Sequence, residues 1–248
     1  MRTRLIFASL FAATAITACS PAEDELAGED TTELSDEKAD ATHTYTYYTV
    51  VRDMRRCASP FCGGYWVERV NRTTTRCGDG TYAERCYVAD ADWARLGLEE
   101  PALDAVQGAA SGNKLVVRAT VVQKSWGADI GRLGNLRPTE AYVGKGPNAP
   151  EGVFVKVEET GVRCWAAPCP FFKEYKLNGS GTVSLAEIGW DDSGAADDVV
   201  GKAIEAIFAH DLIIAGDRFT VTGPAGTGKA RTATQFYIRA RDVDATTP

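Results

Sequence analysis

Two stretches of this chain are built on one pattern. RRCASPFCGGYWVERVN (55–71) lies over VRCWAAPCPFFKEYKLN (162–178), at an offset of 107. Each has an Arg, a Cys-x4-Cys loop with a Pro inside it, aromatic residues, and an Asn 14 positions after the first Cys. Further on the offset becomes 97: Ala89 matches Ala186, Trp93 matches Trp190, and LVVRATVV (115–122) lies over LIIAGDRF (212–219). Near the end it is 95, with TEAYVG (139–144) over TQFYIR (234–239). The drop from 107 to 97 matches an extra loop of ten residues, Cys77 to Cys86, in the first half. One insertion in a surface loop is a change that folds tolerate. Chance hardly keeps cysteine loop, tryptophan, apolar strand and aromatic strand in one order twice. The chain must therefore fold as a unit that can be used two times over.

Each unit reads as β-β-β-α-β-β. YTYYTVVRD (45–53) is β-branched and aromatic, as strands are. YWVERV and FFKEYKL alternate apolar and polar residues, the pattern of a half-buried strand. YVADADW (87–93) and TVSLAEIG (182–189) follow. Residues 197–209 are read as a helix with Val200, Ala203, Ile204, Ile207 and Phe208 on one face. Its counterpart, PALDAVQGAA, begins with Pro101, which suits a first helical turn. Short turns connect most elements. The expected fold class is α+β: two similar halves, mostly antiparallel sheet with a helix packed on one face, and disulfide-closed loops. The expected division is a first repeat over 43–146 and a second over 153–243.

The N-terminus sets the compartment. Arg2 and Arg4 precede an uncharged run, Leu5 to Ala18. A membrane-spanning helix takes about 20 apolar residues, so this run has the length of a signal peptide core instead. Ile16-Thr17-Ala18-Cys19 resembles a bacterial lipobox. That resemblance implies a signal peptide over 1–18, cleavage before Cys19, and acyl chains such as palmitate on its thiol. More than one chain is needed for a stable anchor. Ser20, in place of the Asp that resembles an inner-membrane retention signal, favours the outer membrane. Residues 19–42 then form an acidic tether with nine acidic side chains, one Lys and no aromatic residue. Such a segment cannot bury enough apolar surface to offset its ordering entropy.

The formal charge of −7 is concentrated in that tether; residues 43–248 are close to neutral. There is no basic face for nucleic acid and no strong field to steer a charged substrate. Of the seven cysteines, Cys19 is assigned to lipid. The remaining six suit an oxidising compartment, and local spacing makes 57–62, 77–86 and 164–169 the simplest pairing among the 15 that six cysteines allow. Zinc is the rival, with only His43 and His210 to help and no Cys-x-x-Cys pair.

Several of these motifs together resemble an uncharacterised family of predicted bacterial lipoproteins. They are Cys57-x4-Cys62-Gly63-Gly64, Val70-Asn71, Cys86-Tyr87-Val88-Ala89, Arg163-Cys164-x3-Pro168-Cys169-Pro170, Gly223-Pro224-Ala225-Gly226 and Gln235-Phe236-Tyr237. The likeness spans about residues 45 to 240. It implies an exported, duplicated domain. The family carries no assigned activity, so the resemblance supplies no catalytic residue.

The candidate chemistry is thin. Gly223-Pro-Ala-Gly-Thr-Gly-Lys229 imitates a nucleotide-binding loop, but Ala230 offers no hydroxyl for magnesium. The following TATQFYIR alternates as a strand, where a phosphate cradle needs a helix N-terminus. Cys77-Gly-Asp-Gly-Thr-Tyr faintly resembles part of a Kazal-type protease inhibitor, without the rest of that framework. No G-x-S-x-G, H-E-x-x-H or Ser-x-x-Lys stands in a convincing setting. The expectation is a lipid-anchored envelope protein that binds or scaffolds rather than catalyses, with no cofactor, metal, nucleic acid or nucleotide. Its partners are the membrane, through the anchor, and an envelope or extracellular protein or glycan. Pro60, Phe61, Trp165 and Pro168, in the two Cys-x4-Cys loops, are the candidate contacts. The alternatives are an enzyme inhibitor using the same loops and an unfamiliar hydrolase.

Overall fold

The computed structural model describes residues 46–241. The expected signal peptide, the expected lipidation site Cys19 and the expected acidic tether lie outside the described residues.

The first half runs through β1 (Thr46–Arg52), β2 (Tyr65–Arg69), the short pair β3 (Thr75–Arg76) and β4 (Tyr82–Ala83), β5 (Cys86–Ala91), helix α1 (Glu100–Ser111), β6 (Leu115–Ser125) and β7 (Arg132–Gly144). Along β1 the residues alternate inward and outward, with Tyr48 and Val50 buried. Antiparallel pairing joins β5 to β2, β2 to β1, β1 to β6 and β6 to β7. The circuit closes where β7 runs parallel to β5, Val88 opposite Gly134. These five strands form a closed barrel filled by Val50, Val67, Val88, Leu115 and Leu136. Two register shifts accompany the closure, one in β7 at Thr139, between Pro138 and Glu140 and opposite Arg118 and Ala119, the other in β5 between Val88 and Asp90. Bulges of this kind bend a strand and increase its twist, and proline is tolerated there because a ladder donor is already missing.

After residue 153 the same circuit of pairings recurs with interrupted strands. The elements are β8 (Val153–Glu159), β9 (Phe172–Lys176), β10 (Thr182–Leu185), β11 (Glu187–Gly189), helix α2 (Asp197–Phe208), β12 (Leu212–Gly216), β13 (Arg218–Gly223), β14 (Gly226–Thr232) and β15 (Gln235–Arg239). β8 pairs with β9 and β12, β9 with β10, β11 runs parallel to β14, and β14 pairs with β13. Thus β10 and β11 share the place of β5, β12 and β13 that of β6, and β14 and β15 that of β7. The break after β12 is at Gly216, where a Cβ would sit 1.7 Å from the Thr232 carbonyl oxygen. No residue but glycine permits that approach. Val157, Ile188, Ile207, Leu212 and Phe236 fill this half.

The halves meet where β15 pairs antiparallel with the end of β7, Ile238 opposite Val143. A third apolar cluster lies across the junction: Val70 and Leu177, Val116 and Ile213, Tyr142 and Tyr237, with Tyr47 and Phe154 against it. Each pair stands at the offsets of 107, 97 or 95. Two asparagines clasp the junction reciprocally. The Asn71 side chain accepts from the Phe154 N–H (2.8 Å) and donates to the carbonyls of Phe154 (2.7 Å) and Leu177 (2.9 Å). The Asn178 side chain accepts from the Tyr47 N–H (2.9 Å) and donates to the carbonyls of Tyr47 (2.8 Å) and Val70 (3.0 Å). Both have positive φ, 59° and 54°, a conformation asparagine tolerates better than other side-chain-bearing residues.

The α+β expectation is thereby corrected. Of the described residues 45% are strand and 16% helical, with two α-helices, and the sheet closes into a barrel instead of presenting an open face to a helix. The cause is the length and coiling of β6 and β7, which let β7 hold β6 on one side and β5 on the other. The helix face is corrected too. Ala203, Ala206 and Ile207 are buried, but Ile204 and Phe208 point outward.

Candidate functional site: the disulfide-closed loops

Disulfides join Cys57 to Cys62, Cys77 to Cys86, and Cys164 to Cys169. The two Cys-x4-Cys loops occupy equivalent places, between β1 and β2 and between β8 and β9. Equivalent backbone bonds close their necks: the Asp53 N–H donates to the Gly64 carbonyl (2.8 Å), the Thr160 N–H to the Phe171 carbonyl (2.9 Å). β1 and β8 each begin at the asparagine clasp and run away from it. At about 3.3 Å per residue, each loop stands roughly 20 Å from the junction. The loops stand at the far ends of their hairpins.

In the first loop an arginine organises the surroundings. Arg55 donates from Nε and Nη2 to the buried Asp53 carboxylate at 3.0 and 2.9 Å. Nη2 also donates to the Phe61 carbonyl (3.1 Å). These hydrogen bonds hold the Asp53 carboxyl down at about 2, against the opposing effect of burial. The Arg55 guanidinium lies 4.8 Å from the Trp66 ring and 5.1 Å from that of Tyr87, and Arg85 also lies 4.8 Å from Trp66. The Tyr87 hydroxyl donates to the Pro60 carbonyl (2.8 Å). Pro60 is buried by this network, whereas Phe61 is exposed.

The second loop rests on the β13–β14 hairpin. The Ala225 N–H donates to the Ala167 carbonyl (2.8 Å). A Cβ on Gly223 would lie 2.7 Å from that carbonyl oxygen, and one on Gly228 would lie 2.8 Å from Cβ of Pro168. The glycines of the Gly223–Lys229 segment therefore serve a strand hairpin, whose bare backbone seats the proline of the disulfide loop. Arg163 pairs with Glu159 at 2.5 Å and the Thr160 hydroxyl donates to the Pro170 carbonyl at 2.8 Å, which fixes the approach to the loop. On this support Trp165 is fully exposed, at 106% of its reference surface, with Val162 and Phe171 also open to solvent.

Residues 46–243 match the family model described as a domain of unknown function, DUF6748. The chain belongs to the DUF6748 family. No curated protein and no solved structure matches it.

In this DUF6748 domain the third loop, Cys77–Cys86, is a tight Asp-Gly turn. The Asp79 carboxylate accepts from the N–H (3.0 Å) and hydroxyl (2.6 Å) of Thr81, which lowers its pKa. Cys86 is buried in β5, so the turn is fastened to the barrel wall. Asp191 and Asp192 line a shallow polar cleft with Asn148, Glu151 and Thr234. No group of three metal-ligating side chains occurs among the described residues. Sequence reasoning missed the roles of Arg55, Arg85, Asn71 and Asn178. The asparagines had a signal, the same position after the first Cys in both halves; the arginine–aromatic cluster had none, because its contacting pairs are 11 to 32 residues apart.

Proposed function

We propose that this DUF6748 protein is a lipid-anchored binding module of the bacterial envelope, without catalysis of its own, that engages a partner protein or glycan through the Cys164–Cys169 loop. The carrying observation is Trp165, wholly exposed on a loop held by a disulfide and seated on a hairpin. An aromatic side chain displayed on a fixed support loses little entropy on binding and is the residue type that most often dominates an interface. The tightly held charged groups support the same reading: Arg55, Asp53 and Arg163 brace the loops. Export and anchoring rest on the lipobox at Cys19, with three disulfides that suit an oxidising compartment; Ser20 favours the outer membrane.

A photoreactive amino acid placed at position 165 in intact cells tests the contact, with one at Tyr82, exposed in the first half, as comparison. The reading expects an adduct of discrete mass from position 165 and none from position 82. No adduct from 165, or equal adducts from both, removes it. Metabolic labelling with palmitate tests the anchor: label that survives Cys19→Ala contradicts the assignment.

A further inference from the structure

The turn that follows each clasped hairpin differs in charge between the halves. Residues 69–78 hold Arg69, Arg72 and Arg76 and no acidic residue. At the offset of 107 these arginines lie over Lys176, Gly179 and Val183. The second half builds the same hairpin and the same asparagine clasp with one cation in place of three, so the fold itself does not call for the arginines. The segments that lead into the two halves differ in a matching way. β8 is preceded by residues 145–152, with one Lys and one Glu, whereas β1 is preceded by residues 20–42, with nine acids and one Lys.

The clasp brings these charges to one place. β1 begins at Thr46. Beside it the Val70 N–H donates to the Tyr47 carbonyl (3.2 Å), and Arg69 stands opposite Tyr48. The Arg69 N–H donates to the Thr75 hydroxyl (2.8 Å), which returns the chain just before Arg76 to the end of β2. The Arg72 guanidinium donates to the Asn178 carbonyl. That contact draws in the second half's turn, residues 175–186, which holds Lys176 and no acid. Three arginines and a lysine thus gather beside Thr46, where the acidic segment enters the fold. Counting Arg85 and the flanking Glu68, Asp79 and Glu84 as well, five cations face three acids.

We propose that this cationic turn receives the acidic segment of its own chain, Glu23 to Asp40, as an intramolecular clamp. Asp36, Glu37 and Asp40 lie six to ten residues before Thr46. A chain of that length spans at most roughly 20 to 35 Å. Its carboxylates therefore meet the turn of their own hairpin at high effective concentration. The contact is charge on charge, which suits a segment without aromatic residues, and salt weakens it. Docked, the segment shortens the reach of the domain from its N-terminus; released, it lengthens that reach. The inference depends neither on lipidation of Cys19 nor on the Trp165 contact.

Carbodiimide coupling of carboxylates to amines tests this in the purified full chain carrying Arg76→Lys, which keeps the charge and adds an amine. Ordinary and nitrogen-15-labelled chains are mixed in equal parts, coupled, digested and read by mass spectrometry. The expected result is a link from residues 23–40 to position 76 or Lys176 within one copy. It should be lost in high salt and rare at Lys229, which lies beside the second disulfide loop. No link at 76 or 176, equal yield at Lys229, or links chiefly between labelled and unlabelled copies overturns the proposal. Cleavage at Lys38 by a lysine-specific protease gives the second readout. Arg76→Gln, an exposed position outside the clasp, should speed that cleavage several-fold, as should high salt; circular dichroism checks that the fold is kept. An unchanged rate in both overturns the proposal.

Discussion

The two halves solve one packing problem with different chemistry. In the first, Val67 on β2 and Leu136 on β7 are fully buried in an apolar barrel. At the offsets of 107 and 95 the second half has Glu174 and Arg231, both buried. Arg231 donates from Nη2 to Glu174 (2.9 Å), from Nε to the other carboxylate oxygen, and from Nη1 to the Gly216 and Val153 carbonyls. Arg218 approaches the same carboxylate at 2.9 Å. The difference follows from strand continuity. Unbroken β6 and β7 pair along their whole length in the first half. In the second, β12 ends at Gly216, and the Arg231 guanidinium reaches the Gly216 and Val153 carbonyls at that break. Buried carbonyls need donors, and Arg231 supplies them while Glu174 balances its charge. A continuous barrel can be sealed with hydrocarbon; an interrupted one needs a polar clamp.

Exchanging residues between the halves tests this difference. The largest effect expected is for Arg231→Leu, which gives the second half the first half's residue but leaves the buried Glu174 with only the half-exposed Arg218 against it. Removing one partner of a buried pair costs about 3–5 kcal/mol, while replacing both with apolar residues costs far less. In urea unfolding, adding Glu174→Val to Arg231→Leu should therefore recover stability; further loss would refute the clamp. Next comes the clasp. Asn71→Ala or Asn178→Ala removes three hydrogen bonds at about 1 kcal/mol each, so roughly 3 kcal/mol should be lost from either side of the junction. Gly228→Val pushes a side chain into Pro168. Overpacking of this kind costs about 1–3 kcal/mol and should disturb the second loop while sparing the first.

Two comparisons concern the loops. Asp53 and Thr160 are equivalent at the offset of 107 and hold the two necks. The Asp53 carboxyl is held at about 2 by Arg55, against about 3.9 in an unfolded chain. Its contribution is complete above the unfolded value and disappears as pH falls through the folded one. Acid should therefore loosen the first loop, and Asp53→Asn should flatten that part of the profile of urea midpoint against pH. The smallest effect belongs to Trp165→Ala, which gives the second loop the residue of the first, Ala58. Exposed substitutions usually stay within about 0.5 kcal/mol, so stability should hold while partner capture is lost.

These contrasts also mark what the sequence could convey. The disulfides, the hairpins that carry them, both helices and most strands were legible, because cysteine spacing, alternation and capping are local. Closure was not. Alternation shows that Val88 belongs inside, but Gly127 to Pro138 reads as a loop, whereas β7 already begins at Arg132 and lies parallel to β5 across 40 intervening residues of chain. The alternation in FFKEYKL points its aromatics inward, whereas Glu174 is the buried residue, since its partner Arg231 is 57 positions away. Trp165 was legible as an exposed loop residue. The seat beneath it was not, because Gly223 and Gly228 acquire their meaning from Pro168.

Asn71 and Asn178 bind the two equivalent halves into one cooperative body. Hydrogen exchange followed by mass spectrometry, on the parent chain and on Asn71→Ala, tests this most directly. The clasp predicts that Asn71→Ala lowers protection to the same extent in β1, β2 and β6 as in β8, β9 and β12. Weakened protection confined to one half would show that the halves stand independently and would contradict it.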